Sequence, residues 1–245
     1  MDEAAYDVIA EVERTHWWYA ARRQVLGAVL DAELDGRAPG GLVLDIGCGT
    51  GAGFPVVARC GAPVGMDPSE RALRYAAERG YRHLVQADGT SLPFAAGAFE
   101  WVAALDILEH LDDRAAAPEI RRVLAPGGRA LVTVPAFPAL WGPQDVAARH
   151  LRRYRRGELE QLLRDAGLEL VRRTYINSLL AIPIYVARRL ITLSGRRIES
   201  ENTLHPGWAN PVLRRIFAAE ASVVPRFSLP FGVSLLLVVR RPAER

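Results

Sequence analysis

Apolar residues in the first thirty or so positions recur every three or four residues, which is the spacing of one face of an α-helix. The positions that carry this pattern are Val8, Ile9, Val12, Trp17, Val25, Leu26, Val29 and Leu30. The opening segment is therefore predicted to form one or two helices before any strand, lying over the edge of the fold.

From Leu42 onward the pattern changes to short β-type runs separated by segments with helical spacing. The runs read LVLDIG, APVGMD, HLVQAD, FEWVAALD and ALVTVP, in that order. Strands that alternate with helices are typical of a parallel sheet covered by helices on both faces. The pattern therefore predicts an α/β fold with a Rossmann-like, doubly wound sheet.

After Pro135 the alternation stops. Residues 136–156 are rich in Trp, Pro and Arg and are predicted to form a loop, followed by a helix, ELEQLLRDAGL, that ends at Gly167. LELVRRTYI and VSLLLVV are the last two predicted strands. The stretch 177–230 between them is apolar but contains many Arg residues, and we interpret it as an inserted helical cap.

The predicted organisation is a helical lid over residues 1–40, a catalytic domain formed by 41–176 and 231–245, and the cap over 177–230. A chain of 245 residues, half of them hydrophobic, has enough apolar material for one such domain. No stretch reaches the roughly 18 uninterrupted apolar residues that a membrane-spanning helix needs.

Charge is distributed unevenly along the chain. Residues 1–148 hold 13 basic and 20 acidic residues, whereas residues 149–245 hold 18 basic and 8 acidic ones, and every basic residue is Arg. Five Arg residues fall within 149–156 alone. Two interpretations stay open. These arginines could bind a phosphate or carboxylate of the acceptor, or an acidic carrier protein, or they could form a solvent-exposed surface at the start of a helix.

The only cysteines are Cys48 and Cys60, too few for a disulfide framework and without the paired spacing of a structural zinc site. No metal site is predicted. The acidic amino terminus lacks the basic region and apolar core of a secretion signal. Together these features favour a reducing, cytoplasmic setting.

The strongest chemical signal is VLDIGCGTG at 43–51, a buried strand that runs into a glycine-rich turn. Gly47, Gly49 and Gly51 allow the backbone to approach a ligand closely, where a Cβ would collide with it. On its own, such a turn fits any nucleotide-binding Rossmann unit.

Two acidic residues at the ends of the next strands narrow the choice. Asp67 is placed to accept hydrogen bonds from the two hydroxyls of a ribose, as in an NAD enzyme. Asp88, after the third strand, is placed to accept a hydrogen bond from the exocyclic amine of adenine. Two acids at consecutive strand ends suit an adenosine without a pyrophosphate.

The run from Leu42 to Val134 resembles the S-adenosylmethionine-binding core of class I methyltransferases. The motifs LDIGCGTG, GMDPS, ADGTSLPF, FEWVAALDILEHL and RRVLAPGGRALVTVP stand in the order of that family. The resemblance implies a mostly parallel seven-stranded sheet whose last strand is antiparallel, and S-adenosylmethionine as cofactor, with S-adenosylhomocysteine as product.

The resemblance also assigns cofactor contacts. Contacts to the methionine part of the cofactor are expected from Asp45, Gly47, Cys48, Gly49 and Gly51. Contacts to the ribose are expected from Asp67 with Pro68, and contacts to the adenine from Asp88 with Gly89. Leu105 and Asp106, at the end of the fourth strand, are also expected to contact the cofactor.

Outside this core, HWWYAARR, ARHLRRYRRGEL and TYINSLLAIP resemble one bacterial branch of the family that acts on small molecules and lipids in biosynthesis. In that branch the first helices fold over the cofactor, which makes Tyr19 and Arg22 candidates to close on the methionine carboxylate. The alternative is that Trp17, Trp18 and Tyr19 pack the helix on the sheet.

Three residues are candidates for catalysis: His110, His150 and Tyr154. Ligands of open α/β sheets lie beyond the carboxyl ends of the strands, which places Asp106, Glu109 and His110 beside the transferred methyl group. An imidazole is suited to removing an acceptor proton, although His110 also fits a structural role in its loop. Relatives often carry His-Asp where this chain has Gln144-Asp145, so a catalytic histidine is absent there.

The expected acceptor is a small molecule, either apolar or with an anionic group: a natural product, an isoprenoid or a lipid, free or carrier-bound. Apolar residues of the cap are expected to line its pocket or to pack on a second subunit, as in a homodimer. Four Arg residues are expected near a charged end of the acceptor or near an anionic membrane surface, namely Arg188, Arg189, Arg214 and Arg215.

Three other functions compete with this one. A nucleic-acid substrate is disfavoured because no Asn-Pro-Pro-Tyr-like tetrapeptide follows the fourth strand. An NAD-dependent oxidoreductase shares the glycine turn and Asp67 but has no use for Asp88. A non-catalytic S-adenosylmethionine-binding protein is the third.

Overall fold

Two helices open the part of the chain that the structure describes. The computed structural model describes residues 3–36, 40–194 and 207–243. Helix α1 spans Glu3–Thr15 and helix α2 spans Trp17–Leu34. His16 separates them because its backbone is extended, and its side chain caps α2 by accepting a hydrogen bond from the Trp18 amide at 3.3 Å.

One seven-stranded sheet forms the centre of the molecule. Its strands are β1 (Leu42–Ile46), β2 (Ala62–Asp67), β3 (His83–Gln86), β4 (Phe99–Leu105), β5 (Leu124–Pro135), β6 (Glu169–Ile176) and β7 (Ser234–Arg240). They lie in the order β3-β2-β1-β4-β5-β7-β6, and β7 runs antiparallel to both of its neighbours while the others share one direction. The predicted mostly parallel sheet with an antiparallel last strand is confirmed.

Helices connect the strands and cover both faces of the sheet. They are α3 (Phe54–Val57), α4 (Glu70–Glu78), α5 (Asp113–Val123), α6 (Pro143–Ala147), α7 (Arg156–Asp165), α8 (Ala181–Ser194) and α9 (Ala209–Ala218). Local capping fixes where two of them begin. Ser69 accepts a hydrogen bond from the Ala72 amide at the start of α4, and Asp112 accepts one from the Arg114 amide at the start of α5.

The core has two layers, because alternate residues of a strand point to opposite faces of the sheet. In β1, Leu44 belongs to the cluster that α5 and α7 complete, whereas Val43 belongs to the cluster with α2. Leu236 and Val238 of β7 join the α2 side, and Leu237 joins the other. The helix α2 is therefore part of the core and not a detached arm.

Two segments differ in detail from their predicted form. The region 136–156, predicted as a loop, contains the short helix α6 and one turn of 3₁₀-helix at Pro138–Leu140. The stretch between β6 and β7 contains α8 and α9, and residues 195–206 of the predicted cap lie outside the described residues. Within the described ranges, no helix has the length and apolarity needed to cross a bilayer.

Candidate active site

The glycine turn, residues 47–51, leaves β1 with its backbone in left-handed conformations. The φ angles of Gly47, Gly49 and Gly51 are +68°, +54° and +88°. A Cβ on Gly47 would lie 2.5 Å from Ile107 Cδ1, and one on Gly51 would lie 2.8 Å from Ala76 Cα, so both positions are closed by protein. A Cβ on Gly49 would meet only open space, with its nearest neighbour 4.0 Å away. The turn therefore presents a free backbone surface at Gly49, which fits a cofactor lying against it.

Asp67 joins the end of β2 to this turn. Its Oδ2 accepts a hydrogen bond from the Gly49 amide at 3.0 Å, and its Oδ1 accepts one from the Ser69 amide at 2.9 Å. Burial raises the pKa of Asp67. Pro68 follows, and its carbonyl accepts a hydrogen bond from Gln86 Nε2 of β3 at 2.9 Å. The ends of β2 and β3 are thereby held beside the glycine turn.

Asp88 lies beyond β3, at the same edge of the sheet because β3, β2 and β1 are adjacent and parallel. Its side chain is exposed, and Oδ1 accepts hydrogen bonds from the amide and the hydroxyl of Thr90 at 2.7 and 2.5 Å. The bond from the Thr90 hydroxyl lowers the pKa of Asp88. Gly89 is buried, and a Cβ there would lie 2.6 Å from Leu111 Cδ1.

The side chains of Asp45 and Cys48 are buried in the protein interior. Asp45 is 2% exposed and accepts a hydrogen bond from the Tyr81 hydroxyl, and burial raises its pKa to about 7. The Cys48 side chain packs in a small cluster with Ala76 and Tyr81, and burial raises the pKa of its thiol.

Arg22 and Asp106 meet at the end of β4. Arg22 Nη2 lies 2.9 Å from Asp106 Oδ2 and donates to the Thr133 hydroxyl at 2.8 Å, and that hydroxyl donates to Asp106 Oδ1 at 3.0 Å. Asp106 has a φ of +56°, and the half-buried Leu105 precedes it. The predicted partner of Arg22 is the methionine carboxylate of the cofactor, whereas here its Nη2 binds a carboxylate of the protein, that of Asp106.

Aromatic residues surround this ion pair. The Arg22 guanidinium lies 5.1 Å from the centre of the Trp18 ring, and the Tyr19 ring packs edge-on against Trp18 at 4.8 Å. Burial raises the pKa of the Tyr19 hydroxyl. Trp17 is 9% exposed and contacts Phe217 of α9, so it packs α2 within the fold.

The first helix is fixed over the glycine turn by a network that the sequence did not reveal. The Glu13 carboxylate accepts hydrogen bonds from the Thr50 hydroxyl and, at 2.6 Å, from Arg79 Nη1. Arg79 Nη2 donates to the Ala10 carbonyl at 2.6 Å. These contacts join α1 to the turn and to the end of α4. No local motif marks Glu13, since its partners lie more than thirty residues away.

Glu109, His110 and His150 form a cluster just beyond β4, which we call the Glu–His–His cluster. Glu109 is fully buried and lies in a turn of 3₁₀-helix at Leu108–His110. His150 Nε2 is 3.9 Å from Glu109 Oε1, and the two imidazole rings are 4.8 Å apart, nearly perpendicular. Burial, together with His150, lowers the pKa of His110 to about 4, and burial raises that of Glu109 well above its usual value.

Asp145 orients the second histidine of the cluster. Asp145 Oδ1 lies 2.9 Å from His150 Nδ1 and accepts a hydrogen bond from Arg153 Nε at 2.7 Å, and Oδ2 accepts one from the Gly142 amide at 2.8 Å. The imidazole beside Asp145 therefore comes from His150, five residues further along the chain.

Tyr154, a catalytic candidate by sequence, is buried and bound to other residues of the protein. It is 1% exposed, and its hydroxyl donates to Asp113 Oδ2 at 2.7 Å and to the Leu108 carbonyl at 3.1 Å. Since both partners belong to the protein interior, Tyr154 anchors the loop that carries His150.

Several arginines of the basic segment 149–156 form ion pairs with carboxylates of the protein. Arg153 is buried on Asp145, and Arg152 pairs with Asp113 at 3.3 Å and with Glu158 at 3.1 Å. Arg188 of the cap is also buried: it donates to the Leu140 carbonyl and lies 3.7 Å from Asp145 Oδ2. Arg188 is therefore held by the protein itself, and its position near an acceptor charge or a membrane stays a prediction.

Comparison with known proteins identifies the family. The methyltransferase domain family matches residues 44–132. An uncharacterized methyltransferase of Mycobacterium sp. (strain JLS) is 31% identical over 176 residues, which cover 70% of this chain and 69% of the relative. The chain therefore belongs to the class I S-adenosylmethionine-dependent methyltransferases. It is an enzyme whose cofactor is S-adenosylmethionine, and the NAD-dependent and non-catalytic alternatives are set aside.

Solved structures share the fold. The [4+2]-cyclase SpnF has a TM-score of 0.59 at 24% identity, covering 89% of this chain and 80% of its own. The geranyl diphosphate C-methyltransferase of Streptomyces coelicolor A3(2) has a TM-score of 0.56 at 17% identity, covering 87% and 78%. It was crystallised with Mg²⁺, geranyl diphosphate and S-adenosylhomocysteine. At these identities the likeness concerns the fold.

Proposed function

We propose that this methyltransferase acts on an apolar small molecule, a natural product, isoprenoid or lipid, whose reacting atom lies beside the Glu–His–His cluster. The observation that carries this proposal is a row of exposed apolar side chains on α8, which we call the α8 stripe. It consists of Ile182, Val186, Leu190 and Leu193, each between 47% and 82% exposed. Their spacing places them on one face of the helix.

The position of α8 connects this stripe with the site. Arg188, on the opposite face of the helix, is bound to the Leu140 carbonyl and approaches Asp145, which in turn orients His150. Helix α8 therefore lies beside the loop that carries His150, and an acceptor bound on the stripe would have to extend around the helix to reach the histidines. Exposed apolar patches on soluble proteins mark binding sites for ligands, membranes or other proteins.

The geometry at the edge of the sheet supports the cofactor contacts that the family resemblance implies. We assign Gly47, Gly49, Gly51, the Cys48 backbone and Asp45 to the methionine part, Asp67 with Pro68 to the ribose, Asp88 with Gly89 to the adenine, and Leu105 with Asp106 to the side of the cofactor nearest β4. Tyr19 and Arg22 close the site from α2, with Arg22 acting through Asp106 as well as through its remaining donors.

Bound S-adenosylmethionine supplies an electrophilic methyl group on its sulfonium. The protein's task is then to align the acceptor and exclude water. Helices α1 and α2, held by Glu13 and Arg22, cover the cofactor edge. The Glu–His–His cluster provides polar atoms at the end of β4, beside the place where an acceptor atom would meet the methyl group.

Exposed arginines near the cap support an anionic group on the acceptor. Arg189 lies beside Tyr185 at 3.1 Å, and Arg214 and Arg215 of α9 are exposed. We therefore assign the contact with an anionic group to these three arginines and not to Arg188, whose guanidinium is bound to the Leu140 carbonyl.

The proposal is tested by incubating the enzyme with S-adenosylmethionine and a panel of acceptors. The panel compares prenyl alcohols, prenyl diphosphates, fatty acids and phenolic natural products with water-soluble amines of similar size. We expect release of S-adenosylhomocysteine, and a product heavier by one methylene unit, only with the apolar acceptors. Turnover confined to the water-soluble amines would contradict the proposal.

A matched pair of variants tests the α8 stripe. Val186→Ser is expected to raise the KM for the apolar acceptor roughly 3- to 10-fold, because about 1 kcal/mol of apolar contact is lost. Val171→Ser, at a similarly exposed valine of β6, is expected to leave KM unchanged. If Val186→Ser instead disrupts a dimer and leaves KM unchanged, the stripe is a subunit interface and the proposed acceptor surface is wrong.

A further inference from the structure

Three side chains that commonly bind metal ions converge beyond β4. One ligand atom each of Glu109, His110 and His150 lies within 4.8 Å of the others. Metal–ligand distances of about 2 Å place neighbouring ligand atoms roughly 2.8–3.4 Å from each other, so side-chain rotations that shorten the present separations by roughly 1.5 Å let all three reach one ion. They come from two segments forty residues apart, which the Leu151 amide joins by donating to the Glu109 carbonyl at 2.8 Å.

The Glu109 carboxylate is a buried polar group without a hydrogen-bond partner. Its side chain is 0% exposed, and neither Oε1 nor Oε2 has such a partner among the residues that the structure describes. Buried carboxylates in proteins are normally hydrogen-bonded, paired with a cation or bound to a metal. Its nearest imidazole nitrogen, His150 Nε2, is 3.9 Å away, which is beyond a hydrogen bond and leaves room between the two groups.

His150 is oriented as metal-binding histidines are. Its Nδ1 lies 2.9 Å from Asp145 Oδ1, and its Nε2 points toward Glu109. A carboxylate that binds one ring nitrogen fixes the tautomer and leaves the other nitrogen free to coordinate a metal. Asp145 is itself buried and held by Arg153 and by the Gly142 amide, so the ring has little freedom to turn.

We propose that Glu109, His110 and His150 bind a divalent transition-metal ion, with Asp145 as the residue that positions His150. Two imidazoles and one carboxylate suit Zn²⁺, Mn²⁺ or Fe²⁺ better than Mg²⁺ or Ca²⁺, which prefer oxygen ligands. Three protein ligands leave further coordination positions open, as catalytic sites do. This site was not expected from the sequence, which showed no spacing typical of metal ligands.

The ion binding rests on this geometry alone, whereas its use in methyl transfer rests on the proposed function. The ion held by Glu109, His110 and His150 would make an acceptor oxygen at its open position more acidic, so that the oxygen could release its proton to water. The oxygen lone pair then forms the bond to the methyl carbon, and the carbon–sulfur bond breaks with its electron pair on sulfur, which gives neutral S-adenosylhomocysteine. The acceptor is thereby specified further as an alcohol, a phenol or a carboxylic acid.

Co²⁺ binding to the tag-free, chelator-treated enzyme tests the site. Calorimetry and the visible absorption of Co²⁺ measure affinity and ligand geometry, and competition with Zn²⁺ measures preference. We expect one ion per chain and a loss of affinity of about 100-fold in Glu109→Gln and in His150→Ala. The control His83→Ala removes an exposed histidine of β3 and is expected to bind Co²⁺ as the unchanged enzyme does.

Three results would overturn the site: no Co²⁺ or Zn²⁺ binding by the unchanged enzyme, binding that survives in both cluster variants, or binding lost in His83→Ala. S-adenosylhomocysteine binding verifies that each variant is folded, and His110→Gln replaces any variant that is not. Methyl transfer at full rate by the metal-free enzyme would refute the catalytic use of the ion. Failure of every apolar acceptor alongside stoichiometric Co²⁺ binding would refute the acceptor class and leave the metal site intact.

Discussion

Arg22 and Asp106 form an ion pair, 2.9 Å from Nη2 to Oδ2, between helix α2 and the end of strand β4. Thr133 of β5 completes a triangle of hydrogen bonds with both side chains. Both partners are largely shielded from water, with side chains 12% and 23% exposed. The pair therefore connects the opening helices with the strand ends that we assign to the cofactor.

Replacing Arg22 is expected to weaken cofactor binding. Arg22→Ala leaves Asp106 without its cation at the cofactor edge, and charged hydrogen bonds of this kind contribute about 1.5–3 kcal/mol. We expect a 10- to 100-fold higher Kd for S-adenosylhomocysteine in calorimetric titration, and only partial recovery in Arg22→Lys, which keeps the charge but loses the planar fork. Arg14→Ala, at an exposed arginine of α1, is the control. Equal Kd values for Arg22→Ala and the unchanged enzyme would contradict the assignment.

Gly49 offers a test that separates backbone strain from lost space for a ligand. Gly49 and Gly127 both have positive φ, +54° and +79°, and a Cβ would meet no protein atom closer than 4.0 Å at either position. Alanine at each position should therefore cost a similar 1–2 kcal/mol of stability. Only Gly49→Ala is expected to weaken S-adenosylhomocysteine binding, by about 10-fold or more, because its Cβ occupies the proposed cofactor space.

Thermal unfolding measures the loss of stability in the two glycine variants, and calorimetry measures their affinity for S-adenosylhomocysteine. Similar drops in Tm with a binding loss confined to Gly49→Ala support the cofactor position. A binding loss of the same size in Gly127→Ala would mean that strain alone explains the effect, since Gly127 lies near the amino end of β5, far from the glycine turn in the sheet.

The sheet was predictable because each of its signals is local. A buried run such as LVLDIG, followed by glycines at 47, 49 and 51, identifies a strand and its turn within nine residues, and the next strands repeat the pattern. The same holds for Asp67 and Asp88, which follow strands and lie at one edge for topological reasons.

What the sequence did not reveal depends on contacts between distant segments. Glu109 and His150 are 41 residues apart in the sequence, and only the folded loop brings His150 Nε2 to 3.9 Å from Glu109 Oε1. In the sequence, Asp145 follows Gln144 where relatives often have a His-Asp pair. In the structure, Asp145 is hydrogen-bonded to His150 instead. Tyr154 is a catalytic candidate from its place in the loop before α7, and only the folded chain shows that its hydroxyl binds Asp113. Burial and pairing of this kind follow from tertiary structure.

The contact between α1 and the glycine turn predicts how the opening helices respond to the cofactor. Glu13 binds Thr50 and Arg79, so Glu13→Gln removes the charge that holds α1 on the turn. We expect faster amide exchange in α1, by about 10-fold, and weaker protection of α1 on addition of S-adenosylhomocysteine. Hydrogen exchange with mass spectrometry measures both.

Glu11→Gln, at an exposed glutamate on the same helix, is the matched control for Glu13→Gln. It should leave exchange in α1 unchanged, because surface charges of this kind contribute little. If the two variants behave alike, or if S-adenosylhomocysteine does not slow exchange in α1 of the unchanged enzyme, α1 is not part of a lid.

Asp45 makes the stability of the ligand-free protein depend on pH. Burial raises its pKa to about 7 from the ordinary 3.8, so the folded protein holds a proton that the unfolded chain releases. The resulting stabilisation is complete below about pH 4 and is lost as pH rises to about 7. The difference corresponds to about 4 kcal/mol at 1.36 kcal/mol per pH unit.

Asp45→Asn is therefore expected to reduce the fall in stability between about pH 4 and pH 7, measured as the free energy of unfolding in urea. Asparagine stays neutral throughout this range and still accepts the hydrogen bond from Tyr81. Asp88→Asn is the control, because the pKa of Asp88 is lowered by Thr90 and its stabilisation is lost only as pH falls below 3.8. Equal slopes for Asp45→Asn and the unchanged protein would show that Asp45 is already ionised near pH 4. Its partner Tyr81 would then be hydrogen-bonded to a buried negative charge, which is the arrangement a cationic ammonium group of the cofactor would neutralise.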